Sequence, residues 1–204
     1  MHIRAARIQD AKPAAALLLE LPGGLDVLFP DPNAAERVAR ALFSAPKTVL
    51  SHRFSLVAED RGEVVGLMVR LPGHTWRRLR ILTGAAMVRA AGLGQVPRVI
   101  RQGRIQDRLI PSVPRDCLYV PALAVVPSRR DQGIGASLLL RALGEAAEGG
   151  HSAVVLDVDA TNERATRLYE RHGFLRVSAR EATAARGMPA MASVRMERPL
   201  RAGP

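Results

Sequence analysis

The run Arg130-Asp131-Gln132-Gly133-Ile134-Gly135-Ala136 has the residue types of an anion site. Gly133 and Gly135 remove side chains where a backbone must approach a ligand closely. If the run opens a helix, the unbonded N–H groups of its first turn point outward and the helix dipole reinforces them. Arg129 and Arg130 would add positive charge suited to a pyrophosphate. A tight strand-to-helix turn with solvated arginines fits the same residues. No Gly-Lys-Ser/Thr follows, so the run is not a P-loop. The third glycine of the dinucleotide fingerprint is also absent.

Titratable residues follow in the same half of the chain. Tyr169 is a candidate proton donor, because a phenol of ordinary pKa ~10 donates only to a group held close to it. A helix tyrosine packed on the core is the plainer alternative. Asp157 and Asp159 are two residues apart, so in an extended chain they share one face. Asp157 reads as a candidate base or as half of a structural ion pair. Asp116 and Tyr119 are further candidates. Cys117 is the only cysteine, which excludes an intrachain disulfide and a cysteine metal cluster, and nothing marks it as a nucleophile. The five histidines (His2, His52, His74, His151 and His172) lack metal-ligand spacing, so no metal is expected.

The elements that must position these residues are legible in pattern. Residues 3–8 read as a strand. Asp10 is placed to cap a helix that has Pro13 in its first turn and carries Ala14–Leu21, with Pro22-Gly23-Gly24 as its stop. Asp31-Pro32-Asn33 starts a second helix, Ala34 to Phe43. Phe54–Glu59 and Glu63–Leu71 form a hairpin around Asp60-Arg61-Gly62. Leu118–Val126 is a buried strand in which Pro121 predicts a bulge or an unpaired edge. A helix follows from Ile134 to Gly149, then a strand over Ala153–Val158. A further helix runs from Asn162 to His172 and is closed by Gly173. Phe174–Ala179 and Ser193–Arg198 are paired strands. Helices alternating with strands imply an α/β chain with crossover connections.

Residues 72–115 differ in composition. They hold nine arginines and a single acid, Asp107, for a local charge of +8. Apolar residues such as Trp76, Leu79 and Leu82 are interspersed. A segment of this size does not hold a stable core alone. It reads as a partly helical basic insertion forming a lid or wall on the main body.

Two motifs together carry a resemblance. Leu123-Ala124-Val125-Val126-Pro127 followed by Arg130-x-x-Gly133-x-Gly135-Ala136 resembles the coenzyme motif of the GNAT N-acetyltransferases. Asn162, Ala165, Leu168-Tyr169 and Gly173-Phe174 are similar to that family's second motif. The resemblance covers roughly residues 118–177 and does not cover the insertion. It implies a GNAT-like mixed, mostly antiparallel central sheet flanked by helices. It further implies acetyl transfer from acetyl-CoA to a primary amine, by direct attack on the thioester with CoA leaving as thiolate. Leu123, Ala124 and Val125 would meet the pantetheine arm, and Arg130, Asp131, Gln132, Gly133, Ile134, Gly135 and Ala136 the pyrophosphate. Asn162 would hydrogen-bond the arm, and Tyr169 would lie near the sulfur. Asp157 stands where some protein-acetylating members carry a glutamate base.

Bulk properties bound the alternatives. The chain has 204 residues and a net charge of +11, nearly all from arginine, since only Lys12 and Lys47 are lysines. That length suits one domain over 1–204. A positive field favours anionic ligands in general. A nucleic-acid or ribosome-associated binding protein and a non-catalytic acyl-CoA sensor therefore stand as alternatives. Aromatic residues make up 3% and no nucleic-acid motif appears, so nucleic acid is not an expected partner. The acceptor is a small-molecule or protein amine. No apolar run approaches the ~20 residues that span a bilayer. A cytoplasmic monomer or homodimer, without membrane attachment, is expected.

Overall fold

The computed structural model describes residues 1–21, 24–110, 112–182 and 191–200. The strands are β1 (His2–Ala5), β2 (Ser55–Asp60), β3 (Glu63–Pro72), β4 (Leu118–Val125), β5 (Ala153–Asp159), β6 (Leu175–Ala182) and β7 (Met191–Pro199). The helices are α1 (Ala11–Leu19), α2 (Leu25–Leu28), α3 (Pro32–Ser44), α4 (Trp76–Ala91), α5 (Val96–Leu109), α6 (Ile134–Glu148) and α7 (Glu163–Arg171). The seven strands form one sheet in the order β1-β2-β3-β4-β5-β7-β6. Every neighbouring pair is antiparallel except β4 and β5. The mixed, mostly antiparallel sheet with flanking helices is the architecture expected from the sequence.

Side chains alternate between two cores, as strand geometry requires. On one face Leu56, Ala58 and Met68 pack with Leu138, Leu139 and Ala142 of α6. On the other, Val57, Leu67 and Val69 pack with Leu17 and Leu18 of α1 and Phe43 of α3. Gly66 lets α6 lie close on β3, because a Cβ there would stand 2.9 Å from Ile134 Cγ2. The β2–β3 turn places Arg61 at φ 52° and Gly62 at φ 84°, the left-handed pair of a tight hairpin turn.

Three local expectations are corrected. The first strand stops at Ala5, and Ile8–Asp10 form a 3-10 turn instead. Asp10 precedes α1 without capping it. Its carboxylate accepts the Arg4 guanidinium at 2.7 and 2.9 Å and the Arg7 amide at 2.7 Å. A charged donor within reach outcompetes the helix amides. The first helix, Ala11–Leu19, has Pro13 in its first turn as expected but ends two residues before Leu21, and its Pro22-Gly23 stop lies outside the described residues. The second start signal holds, since Asp31 accepts from the amides of Asn33 and Ala34 at 3.1 and 3.2 Å.

The basic insertion is two helices, α4 and α5, whose buried residues turn toward the body. Thr83 of α4 accepts the Val49 amide at 2.8 Å and donates to Leu79 O at 2.7 Å. Its entry and exit lie side by side. The Gly73 amide donates to Cys117 O at 2.8 Å, and the His74 amide to Arg115 O at 3.2 Å. A Cβ on Gly73 would stand 1.8 Å from Pro114 O, so only glycine fits this neck.

Candidate active site

The site begins where two parallel strands part. β4 and β5 are paired only over Leu118–Val120. The next residue, Pro121, has no N–H to give, and the register with β3 slips beside it, between Val69 and Leu71. Both readings of Pro121, bulge and unpaired edge, describe what happens there. Beyond it β4 continues against β3 while β5 pairs with β7. The edge of β4 that β5 has left is free to receive an extended ligand.

A cleft of about 790 Å3 lies at this parting, between β4, the start of α6 and α7. It gathers Leu123, Ala124, Val125, Arg130, Asp131, Gly133, Ile134, Gly135, Ala136, Asn162 and Tyr169, so almost every residue of the two motifs lines one space. Gln132 borders it and turns its side chain to Arg129 (3.0 Å) and Ser128 O (3.4 Å). Asp131 at φ 62° and Gly133 at φ 76° are both left-handed. Left-handed residues in such a turn favour an anion-binding winding, and the turn leads into the first turn of α6, whose amides lack partners within the helix. The two glycines differ in purpose. A Cβ on Gly133 would meet nothing within 4 Å, so that glycine serves the backbone angle. A Cβ on Gly135 would stand 3.3 Å from Leu168 Cδ2 and 3.9 Å from Leu123 and Val125, inside the cleft.

The arginines are not free charges. Arg129 pairs with Asp60, and this hydrogen bond holds the Asp60 carboxyl below the usual carboxylate range. Arg130 reaches Val125 O at 3.1 Å and Glu20 at 3.1 Å. Arg164 pairs with Asp131 at 3.1 Å. The guanidiniums therefore brace the loop, and the donors left to the cleft are the amides at the start of α6.

Asn162 caps α7, its Oδ1 accepting the Ala165 amide at 3.0 Å. Asp159 folds the preceding turn by accepting from Thr161 N and Oγ1 at 2.8 and 2.6 Å. Tyr169 lies on the cleft side of α7, its ring 5.7 Å from that of Phe174. Its hydroxyl makes no hydrogen bond among the described residues. Burial pushes its phenol well above the ordinary value, so it holds its proton at neutral pH.

Asp157 faces a second cavity, of about 280 Å3, which also touches Tyr119, Pro121 and Ala122. The two spaces thus share β4, one at 121–122 and the other at 123–125, and Leu21 lines both. Asp157 accepts from Arg195 Nε at 3.0 Å and Nη2 at 2.8 Å, and from the Tyr119 hydroxyl at 2.9 Å. Burial and the adjacent Asp157 charge push the Tyr119 phenol well up. Its ring packs edge-on against Trp76, centroids 4.7 Å apart. Arg195 also donates to Ser112 O at 2.8 Å, tying the exit of the insertion to the sheet.

Sequence reasoning missed Arg195. Its signal is cross-strand register, Asp157 opposite Arg195, which needs the strand order to be known. Cys117 is fully buried with its thiol pushed up to about 12, chiefly by desolvation, and is inert. Among the described residues no cluster of His, Cys, Asp or Glu could hold a metal ion, and no helix is long and apolar enough to cross a membrane.

The parting of β4 and β5 thus leaves two neighbouring spaces lined by successive residues of β4. Residues 25–174 match the acetyltransferase (GNAT) family, and the chain belongs to it. That family uses acetyl-CoA. The chain is 41% identical over 58 residues to human N-alpha-acetyltransferase 30, a match spanning 28% of this chain and 16% of the human protein. An N-acetyltransferase from Staphylococcus aureus Mu50 shares the fold at TM-score 0.72 and 18% identity, over 97% of this chain and 100% of the other. The structure of yncA from Salmonella typhimurium with its cofactor acetyl-CoA superposes at TM-score 0.58 and 18% identity, over 98% and 94%.

Proposed function

We propose that this chain transfers the acetyl group of acetyl-CoA to a primary amine, with the coenzyme in the larger cleft and the amine in the smaller cavity. The observation that carries this reading is that the two spaces meet along β4 where β5 leaves it. The residues present fit the coenzyme. Asp131 and Gly133 are left-handed ahead of the first turn of α6, a winding suited to an anion, and Gly135 leaves room beside it. Leu123, Ala124 and Val125 offer an open strand edge to the pantetheine arm. Asn162 and Tyr169 flank the arm's far end.

Acetyl-CoA supplies a thioester carbonyl. In the net reaction the amine nitrogen bonds to that carbon, the C–S bond breaks with its electron pair on sulfur, and one amine proton leaves. Tyr169 would lie near the leaving sulfur, lend its proton to the thiolate and recover one from the water that takes the amine's proton, so that the phenol is restored. Asp157 receives the amine. Arg195 occupies both its oxygens, so the carboxylate attracts and orients the amine while water takes the proton. Tyr119 fixes that carboxylate from the side facing the cavity.

Calorimetric titration with acetyl-CoA, followed by thiol detection with an amine present, tests the reading. Saturable one-site binding and amine-dependent thiol release are expected. Absence of binding in folded protein free of copurified CoA overturns it.

A further inference from the structure

The smaller cavity has features that the transfer chemistry leaves unexplained. Its outer walls are α4 and α5, the insertion. On α5, Val99, Gln102, Gly103 and Gln106 line it as one helical stripe, with Ile110 just past the helix end. Gly103 stands in the middle of that stripe. A Cβ there would meet no atom within 4 Å. On α4, Gly84 also faces the cavity, and a Cβ on it would meet only Val99, at 3.7 Å. Helix packing requires neither glycine, and glycine inside a helix is unfavourable. What the two glycines leave is space.

The chemistry of the wall is selective. Leucines, Trp76 and Met87 make most of it apolar. Gln102 and Gln106 stand one turn apart on α5, with side-chain amides unbonded among the described residues. Among the described residues the only acid in the wall is Asp157, which Arg195 and Tyr119 already hold. Among the same described residues the only cation is Arg80, which is paired with Asp107. A second ammonium group would find no carboxylate. The volume of about 280 Å3 lies at the lower edge of the ~300–1,000 Å3 typical of ligand sites.

We infer that the acceptor is a compact monoamine with an apolar, aliphatic or aromatic body and one uncharged hydrogen-bonding group. Its amine lies at Asp157 and Tyr119, its body crosses the stripe at Gly103, and its polar group meets Gln102 and Gln106. Polyamines and polypeptide amines are poor acceptors by the same geometry. The inference rests on the acetyl-transfer reading and names the substrate class of that site.

The test is thiol release by the full chain with acetyl-CoA and one of four acceptors: tyramine, 2-phenylethylamine, spermidine or an alanine-terminated hexapeptide. Tyramine is expected to exceed spermidine and the peptide in kcat/KM by at least about tenfold, with 2-phenylethylamine between. Gly103→Leu fills the stripe and is expected to raise the tyramine KM by at least about tenfold while the acetyl-CoA KM stays within about twofold. Gly103→Ala, checked with it by circular dichroism melting, keeps the fold and shows a smaller effect of the same sign. A preference for spermidine or the peptide overturns the inference. So does an unchanged tyramine KM in Gly103→Leu, or binding of acetyl-CoA without turnover of either monoamine. Failure of acetyl-CoA to bind the parent protein instead overturns the transfer reading itself.

Discussion

Arg195 on β7 grips Asp157 on β5 through both carboxylate oxygens, at 3.0 and 2.8 Å, with both side chains almost wholly buried. The pair lies directly across the sheet register and behind the cavity that Asp157 lines. It couples stability to the site. Arg195→Met leaves a buried carboxylate without its partner and should cost about 3–5 kcal/mol in urea unfolding. Replacing both residues, with Asp157→Leu and Arg195→Met together, should recover most of that loss while abolishing amine turnover.

Tyr169→Phe removes the proton donor while keeping the ring against Phe174. Turnover should fall by roughly 100-fold, with acetyl-CoA affinity by calorimetry within about twofold. Burial raises the Tyr169 phenol, so its protonated form persists through the ordinary tyrosine range. The rate should therefore rise with pH as the amine deprotonates and show no fall below about pH 10. A descending limb near neutral pH, lost in Tyr169→Phe, would contradict this assignment.

The two motif glycines should separate by variant. Gly135→Trp places a side chain in the cleft beside Leu168, Leu123 and Val125, and should weaken acetyl-CoA binding by more than about 100-fold without unfolding the protein. Gly133→Ala meets no atom but must hold a left-handed backbone, so it should cost about 1–2 kcal/mol and a smaller share of affinity. Equal affinity losses in calorimetry would show that both glycines serve space alone.

Asp10 offers a pH test away from the site. Burial raises its carboxyl, but the Arg4 guanidinium and the Arg7 amide outweigh this and hold it below the ordinary value of 3.8. A depressed carboxyl stabilises the fold above its unfolded value and loses that contribution as pH falls through the folded one. Asp10→Asn should cost about 1.5–3 kcal/mol at pH 7, and the two proteins should converge in stability as pH falls below about 3. A constant difference across that range would remove the ionic role.

The family and the motif residues that line the cleft were legible in the sequence because they depend on local structure. Gly133, Gly135 and the run around them set backbone angles and free amides within a few residues, and Asn162 through Gly173 carries its own cap and stop. Pro121 announced the parting of β4 and β5 because a missing N–H is a property of one residue. The basic composition of 72–115 marked the insertion but not its use, since the cavity exists only where α4 and α5 return beside β4. Asp157 was visible as a carboxylate on a strand, with base and ion pair both open. Its partner was not visible, because Arg195 meets it through the order β4-β5-β7, a pairing between segments far apart in the chain. Local geometry is written in neighbouring residues. Contacts across the sheet depend on strand order, which only the packed fold decides.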